Sequence, residues 1–202
     1  MTSNYQQAQQ SFDLQQAAQR FLSGSVDALN ACYECCDRHA LPGQIALFWQ
    51  GKDGRKEQYT FRELQQRASQ FANFLKSQGV SKGDRVSGLL PRTPELIITI
   101  LAAWRIGAVY QPLFTAFGPK AIEHRLQLAQ SKLVVTDIGN RDKLQDVDGC
   151  PAIVTVTGAK GTGLYQGDYS FWAEVNRQSD QCELEMMNIQ DPFLLMFTSG
   201  TT

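Results

Sequence analysis

Short apolar runs alternate along this chain with longer stretches in which apolar residues return every three or four positions. IALFWQ (45–50), a run within 84–90, AVYQPLF (108–114), KLVVTD (132–137), AIVTV (152–156) and FLLMF (193–197) are of the first kind and predict strands. EQYT (57–60) predicts a hairpin partner for IALFWQ across the polar turn Lys52-Asp53-Gly54. KLVVTD has the continuous apolar character of a strand buried on both faces of a parallel sheet. The second kind predicts helices over residues 12–22, 26–38, 94–106 and 118–129, and another from Thr60 to Gly79. Residues 1–11 read as loosely docked.

The helix ends carry their own marks. Thr60-Phe61-Arg62-Glu63 has the form of a capping box, in which the Thr hydroxyl and the Glu carboxylate each satisfy an amide of the first turn. Leu64, Ala68, Phe71 and Leu75 then share one face, and Gly79 stops the helix. Pro94 lies in the first turn of the next helix, with Gly107 past its end; Gly118-Pro119 opens a third. Strands alternating with helices of this length imply parallel pairing through crossovers. The predicted class is therefore α/β, a mainly parallel sheet flanked by helices.

Composition narrows the class. A chain of 202 residues, 43 % hydrophobic and 19 % charged, is globular, not disordered. A net charge of -1 lacks the basic surplus of a nucleic-acid-binding domain. The longest apolar run, residues 96–103, falls far short of the roughly 20 residues of a membrane span. The Gln-rich first 20 residues lack the basic-then-apolar order of a secretory signal. Cys32, Cys35, Cys36, Cys150 and Cys182 are odd in number and crowded, which does not make a disulfide framework; a reducing cytoplasm is the expected compartment. The expected division is an N-terminal extension, residues 1–25, and one domain, residues 26–202.

The candidate chemistry lies at the end. FLLMF runs into Thr198-Ser199-Gly200-Thr201-Thr202. Glycine lets backbone amides approach an anion, and the amides and hydroxyls together can surround phosphate oxygens. As the last strand of a parallel sheet, FLLMF would present these residues at a carboxyl end, where open α/β sheets bind ligands.

Two upstream segments give that loop a context. YTFREL (59–64) and LAAWRIGAVYQPLF (101–114) precede TSGTT in the order, and with roughly the spacing, of the core motifs of AMP-forming acyl-CoA synthetases. ALNACYECCDRHA, KGDRV, LPRTPE and AFGPKAIEHRLQLAQSKLVVTD resemble the acetyl-CoA synthetase type and its medium-chain relatives. The resemblance covers residues 26–202, most of the chain. It implies the N-terminal subdomain of the adenylate-forming synthetase fold, incomplete at its phosphate loop. It further implies an enzyme that uses ATP and Mg²⁺ to convert a short- or medium-chain carboxylic acid to an acyl-adenylate, then passes the acyl group to coenzyme A. Thr198, Ser199, Gly200, Thr201 and Thr202 would be the first half of the loop that holds the ATP phosphates.

Arg141 and Lys143, in the loop after KLVVTD, would be phosphate contacts for coenzyme A, the alternative being an ordinary solvated loop. The family's loop lysine, its Mg²⁺-holding glutamate, its ribose-binding aspartate and its adenylation lysine would all follow Thr202, so this chain alone is expected to be inactive. Isolated, it is expected to associate through FLLMF and the apolar face of 94–106. A non-catalytic α/β module that binds a nucleotide or phosphate through the same loop stands as the alternative function, and an interaction domain with no ligand as a third.

Three further patterns have plainer readings. Cys32, Cys35, Cys36 and His39 share one face of the helix expected there, but structural zinc sites draw their ligands from more than one element or from a tight knuckle. TGAKGTG (157–163) matches neither the Walker nor the dinucleotide glycine pattern and reads as a surface loop. Trp104 and Arg105 read as packing and helix termination. No catalytic side chain and no metal ligand is assigned within the chain.

Overall fold

The computed structural model describes residues 4–25, 27–157 and 163–198. Helices α1 (Asn4–Gln10) and α2 (Leu14–Phe21) come first; α1 buries no residue and α2 only Ala18. The helix expected over residues 26–38 is much shorter, α3 (Ala31–Cys35), followed by a 3-10 turn over Asp37–His39. Two interactions cut it down. Leu29 makes an antiparallel bridge to Met187, which holds its backbone extended. The Asn30 side chain then caps α3, accepting from the amides of Cys32 and Tyr33.

Strands β1 (Ile45–Gln50) and β2 (Lys56–Thr60) form the expected antiparallel hairpin. The capping box that follows is complete. Thr60 Oγ1 accepts from the Glu63 amide at 3.1 Å, and the Thr60 amide donates to the Glu63 carboxylate at 2.8 Å. The Thr60 amide and hydroxyl both hold the Glu63 carboxyl below the usual range. It starts α4 (Phe61–Ser77), which buries Leu64, Ala68, Phe71, Phe74 and Leu75 along one face. Gly79 ends the turn with φ +77°.

The remaining elements build one parallel sheet: β3 (Arg85–Leu89), helix α5 (Pro94–Arg105), β4 (Val109–Pro112), helix α6 (Pro119–Ala129), β5 (Leu133–Asp137), a short α7 (Ile138–Arg141), β6 (Ala152–Val156), a two-residue β7 (Tyr169–Ser170) and helix α8 (Phe171–Arg177). The strand order is β4-β3-β5-β6-β7 and every neighbouring pair is parallel. The expected α/β class holds. Alternation along β5 explains its unbroken apolar character: Leu133 and Val135 face the core formed with α4, α5 and α8, while Val134 faces a second core with α6. In the first core the Phe71 ring meets Phe171 at 4.6 Å and Phe74 at 5.7 Å.

FLLMF is the other departure. It makes a single parallel bridge, Tyr110 to Leu194, at the free edge of β4. The Tyr110 amide donates to the Phe193 carbonyl at 3.0 Å, and the Leu195 amide to the Tyr110 carbonyl at 2.9 Å. The next donor along that edge would be residue 112, which is Pro112 and has no N–H, so the ladder stops there. Phe193, Leu194 and Met196 stay exposed. The apolar face of α5, by contrast, is covered: Ile98, Leu101, Ala102 and Ala103 are buried against α3, α4 and the sheet, so only the FLLMF half of the expected open surface is open.

One buried ion pair ties the molecule's start to its end. Arg105 Nη1 meets Asp37 Oδ2 at 2.8 Å, with the two side chains only 7% and 4% exposed. Arg105 Nε donates to the Cys182 carbonyl at 2.9 Å, and the Arg105 carbonyl accepts from the Glu185 amide at 2.9 Å. Packing and helix termination, the reading given to Arg105, therefore take the form of a polar hub. Removing one partner of such a pair leaves the other buried and uncompensated. Asp37→Ala is expected to lower unfolding free energy by about 3–5 kcal/mol. Urea denaturation checks this, and a loss under about 1 kcal/mol would show the charge to be solvated.

Candidate functional site

The carboxyl ends of β3, β4 and β5 open on a cleft of about 840 Å³. The hairpin supplies Trp49 and Lys52 to its wall, the loop after β3 supplies Arg92 and Thr93, and β4 and its exit supply Tyr110 and Phe114. A neighbouring cleft of about 660 Å³ shares Trp49, Thr93 and Asp137 with it. Both lie where open α/β sheets present ligands.

Two hydroxyls in the larger cleft stand out. Tyr110 is 2% exposed, and neither its Oη nor Thr93 Oγ1 has a hydrogen-bond partner among the described residues. Burial pushes the Tyr110 phenol well above its ordinary value, so it is a donor at every physiological pH. Its ring fits beside β3 only because residue 88 is glycine; a Cβ there would run into the phenol oxygen. A buried hydroxyl without a partner is costly, and it supplies directed hydrogen-bonding capacity at this end of the sheet.

Thr198, the first residue of TSGTT, is exposed at the end of the segment that leaves Tyr110. Ser199, Gly200, Thr201 and Thr202 lie outside the described residues. The segment is held at both ends by side chains. Trp104 Nε1 donates to the Phe193 carbonyl at 2.7 Å, and its ring meets Phe193 edge-on at 5.4 Å. The Arg125 guanidinium lies 5.4 Å from the Phe197 ring centre and 4.1 Å from that of Phe117.

Arg141 and Lys143 follow β5 and make no hydrogen bond or ion pair to Thr198 among the described residues. Arg141 is bidentate to Asp168, Nε to Oδ2 at 2.6 Å and Nη2 to Oδ1 at 2.8 Å. Thr155 Oγ1 donates to the same carboxylate at 2.6 Å. The hydrogen bonds that Arg141 donates to Asp168 raise its pKa further. Arg141 Nη1 alone has no partner among the described residues. Lys143 Nζ donates to the Thr115 carbonyl, on the cleft rim, and to Asn140 Oδ1 at 3.0 Å. These side chains do structural work before any ligand is considered.

The cysteine cluster is dispersed by the shortening of its helix. Cys32 and Cys36 are buried and Cys35 is exposed. His39 rests against the Phe61 ring at 5.3 Å. Burial raises the Cys32 and Cys35 thiols and pushes Cys36 up to about 12, so none is a thiolate nucleophile at neutral pH. Of TGAKGTG, residues 158–162 lie outside the described residues. Among the described residues no helix is long and apolar enough to cross a membrane.

A family model described as "AMP-binding enzyme" matches residues 34–202. The chain belongs to the AMP-binding enzyme family. It is 39% identical over 194 residues to an acetyl-coenzyme A synthetase of Psychromonas ingrahamii, covering 86% of this chain and 30% of that protein. To an acetyl-coenzyme A synthetase of Halorhodospira halophila it is 36% identical, covering 95% of this chain and 32% of that protein. The crystal structure of a Brucella canis acyl-CoA synthetase superposes with a TM-score of 0.92 at 47% identity, over 98% of this chain and 36% of that one. The chain thus spans about a third of the length of these relatives. The resemblance of its ordered motifs to acyl-CoA synthetases of the acetyl-CoA type is shown, as is the adenylate-forming fold.

Two side chains of this region, Tyr110 and Asp168, are not singled out by the sequence. Gly88 within a strand pattern was the available signal for a close approach, here that of Tyr110. Asp168, which fixes Arg141, follows a glycine-rich loop and gave no signal. If the Tyr110 hydroxyl is unpaired in the free protein, Tyr110→Phe is expected to leave stability unchanged or raise it by about 1 kcal/mol. Chemical denaturation of the ligand-free protein checks this; a loss of that size would mean the hydroxyl holds a structural partner.

Proposed function

We propose that this chain is the N-terminal part of an ATP-dependent acyl-CoA synthetase. The parent enzyme activates a short- or medium-chain carboxylic acid as an acyl-adenylate and transfers the acyl group to coenzyme A. In the first step a carboxylate oxygen bonds to the α-phosphorus of ATP and pyrophosphate leaves. In the second, the coenzyme A thiol releases its proton and its sulfur bonds to the acyl carbon, and AMP leaves with the electron pair of the broken C–O bond. The observation that carries this reading is the docking of residues 193–195, which lead to Thr198, on the edge of a parallel sheet in a family member.

Thr198 and the residues after it, Ser199, Gly200, Thr201 and Thr202, would hold the pyrophosphate end of ATP, where charge develops as the P–O bond breaks. Among the described residues no group of three or more His, Cys, Asp or Glu could hold a metal ion. No step is routed through the Mg²⁺ that ATP carries. The acid pocket and the remaining catalytic groups belong to the rest of the parent chain, so the 202 residues alone are inactive. The compartment we assign is the cytoplasm.

ATP–pyrophosphate exchange by the full-length parent, with straight-chain acids from acetate upward, tests this directly. Exchange with at least one acid is expected; none with any acid overturns the reading. Thr198→Ala in the parent is expected to raise the ATP KM about ten-fold, from loss of a charge-assisted hydrogen bond. The 202-residue chain alone is expected to release no pyrophosphate.

Arg141 and Lys143 carry the coenzyme A part of the proposal. Arg141 Nη1 is buried without a hydrogen-bond partner among the described residues, and Lys143 holds the Thr115 rim of the larger cleft. Lys143→Ala is expected to raise the KM for coenzyme A several-fold while the ATP KM stays put. Steady-state kinetics in each substrate separately would show an equal change in both if the lysine were only structural.

A further inference from the structure

The five residues before Thr198 are held to the sheet by little backbone structure. One bridge to Tyr110 exists, and Pro112 prevents a second. Phe193, Leu194 and Met196 are exposed, so burial does not fix which face the segment presents. In a strand a one-residue slip exchanges the two faces. A slip here would also move Thr198 by about 3.3 Å along the chain, roughly the full length of a hydrogen bond.

Two side chains supply what the ladder lacks. The Phe193 carbonyl accepts two hydrogen bonds, from the Tyr110 amide at 3.0 Å and from Trp104 Nε1 at 2.7 Å. The Trp104 ring also meets the Phe193 ring edge-on. Trp104 comes from the last turn of α5, whose next residue, Arg105, is fixed in the buried hub. At the other end, adjacent to Thr198, Arg125 lies against the rings of both Phe117 and Phe197. Its Nη1 donates to the Ala121 carbonyl at 2.9 Å, and its backbone carbonyl accepts from Gln111 Nε2 at 3.1 Å. Gln111 is fully buried in β4, so Arg125 is fixed to the strand beside which Phe197 must lie. A guanidinium over aromatic faces is attracted by the ring quadrupole, and this one also places a positive charge one residue from Thr198.

We propose that Trp104 and Arg125 are positioning residues forming a two-point clamp on residues 193–198, which sets where Thr198 meets the phosphates of ATP. Neither side chain has to touch the nucleotide. Trp104 fixes the register of the segment at Phe193, and Arg125 fixes the orientation of Phe197 and hence the direction in which the chain enters TSGTT. The ATP part of this inference rests on the function proposed above; the clamp itself does not.

The test uses the full-length parent and three variants, Trp104→Phe, Arg125→Gln and Phe197→Leu. Trp104→Phe keeps an aromatic ring and removes only the N–H donor. Each of the first two is expected to raise the ATP KM about five-fold, the effect of one hydrogen bond or one cation–π contact. The KM values for acid and coenzyme A and the thermal midpoint are expected to stay close to the parent's. Arg125→Gln and Phe197→Leu combined are expected to do no more than either alone, because they remove the same contact. Without ATP, hydrogen–deuterium exchange of the peptide spanning 193–198 is expected to quicken in both clamp variants.

Unchanged exchange in both overturns the clamp, whatever the enzyme's substrates. Faster exchange with an unchanged ATP KM overturns the link to the phosphates, as does an equal rise for all three substrates. An unmodified parent that neither binds ATP nor exchanges pyrophosphate overturns the functional reading and, with it, the positioning role.

Discussion

The guanidinium of Arg105 is the point on which the rest of the structure hangs. It ends α5, pairs with Asp37 in the turn after α3, and donates to the Cys182 carbonyl in the segment that leads to TSGTT. Asn30 adds hydrogen bonds to the carbonyls of Trp104, Arg105 and Glu185, so the three segments meet at one buried polar junction. Gly107 allows the crossing. It has φ +69°, and a Cβ there would sit 2.7 Å from the Met187 sulfur. Buried polar groups are tolerated when they are paired, and this junction pairs its own. Its arrangement determines where the chain runs from Cys182 onward.

From that junction the chain runs outward with steadily less support. Lys82 meets Asp191 at 3.0 Å on the surface, Trp104 and Tyr110 hold Phe193, and Arg125 holds Phe197. Beyond Phe197 lies the exposed Thr198. Tyr110 lines the larger cleft, while its backbone carries residues 193–195. One residue of β4 thus touches both the cleft and the segment that leads to Thr198.

Much of this was legible in the sequence because the signals were local. The capping box at Thr60, the stop at Gly79, Pro94 at the start of α5 and the continuous apolar run of β5 each state their structure within a few residues. Two of the errors share one cause: a distant partner overrode a local pattern. Residues 26–38 have helical spacing, but Leu29 pairs with Met187 and Asn30 turns its side chain inward as a cap. FLLMF looks like a full strand, but the edge it meets is cut short by Pro112. The small elements β7 and α8, too short for a period to show, were missed.

The sequence by itself determined the α/β class, the parallel strands and the family, because periodicity and ordered motifs are properties of the chain read in one dimension. Tertiary structure alone decided which polar groups are spent and which remain. Arg141 and Lys143 look like free cations in the sequence, yet Asp168, Thr115 and Asn140 engage them. Tyr110 looks like a strand residue, yet its hydroxyl is buried without a partner beside a glycine. The physical reason is the same in each case. A hydrogen-bonding group is satisfied or left wanting by neighbours far away in sequence, and only the fold brings those neighbours within 3 Å.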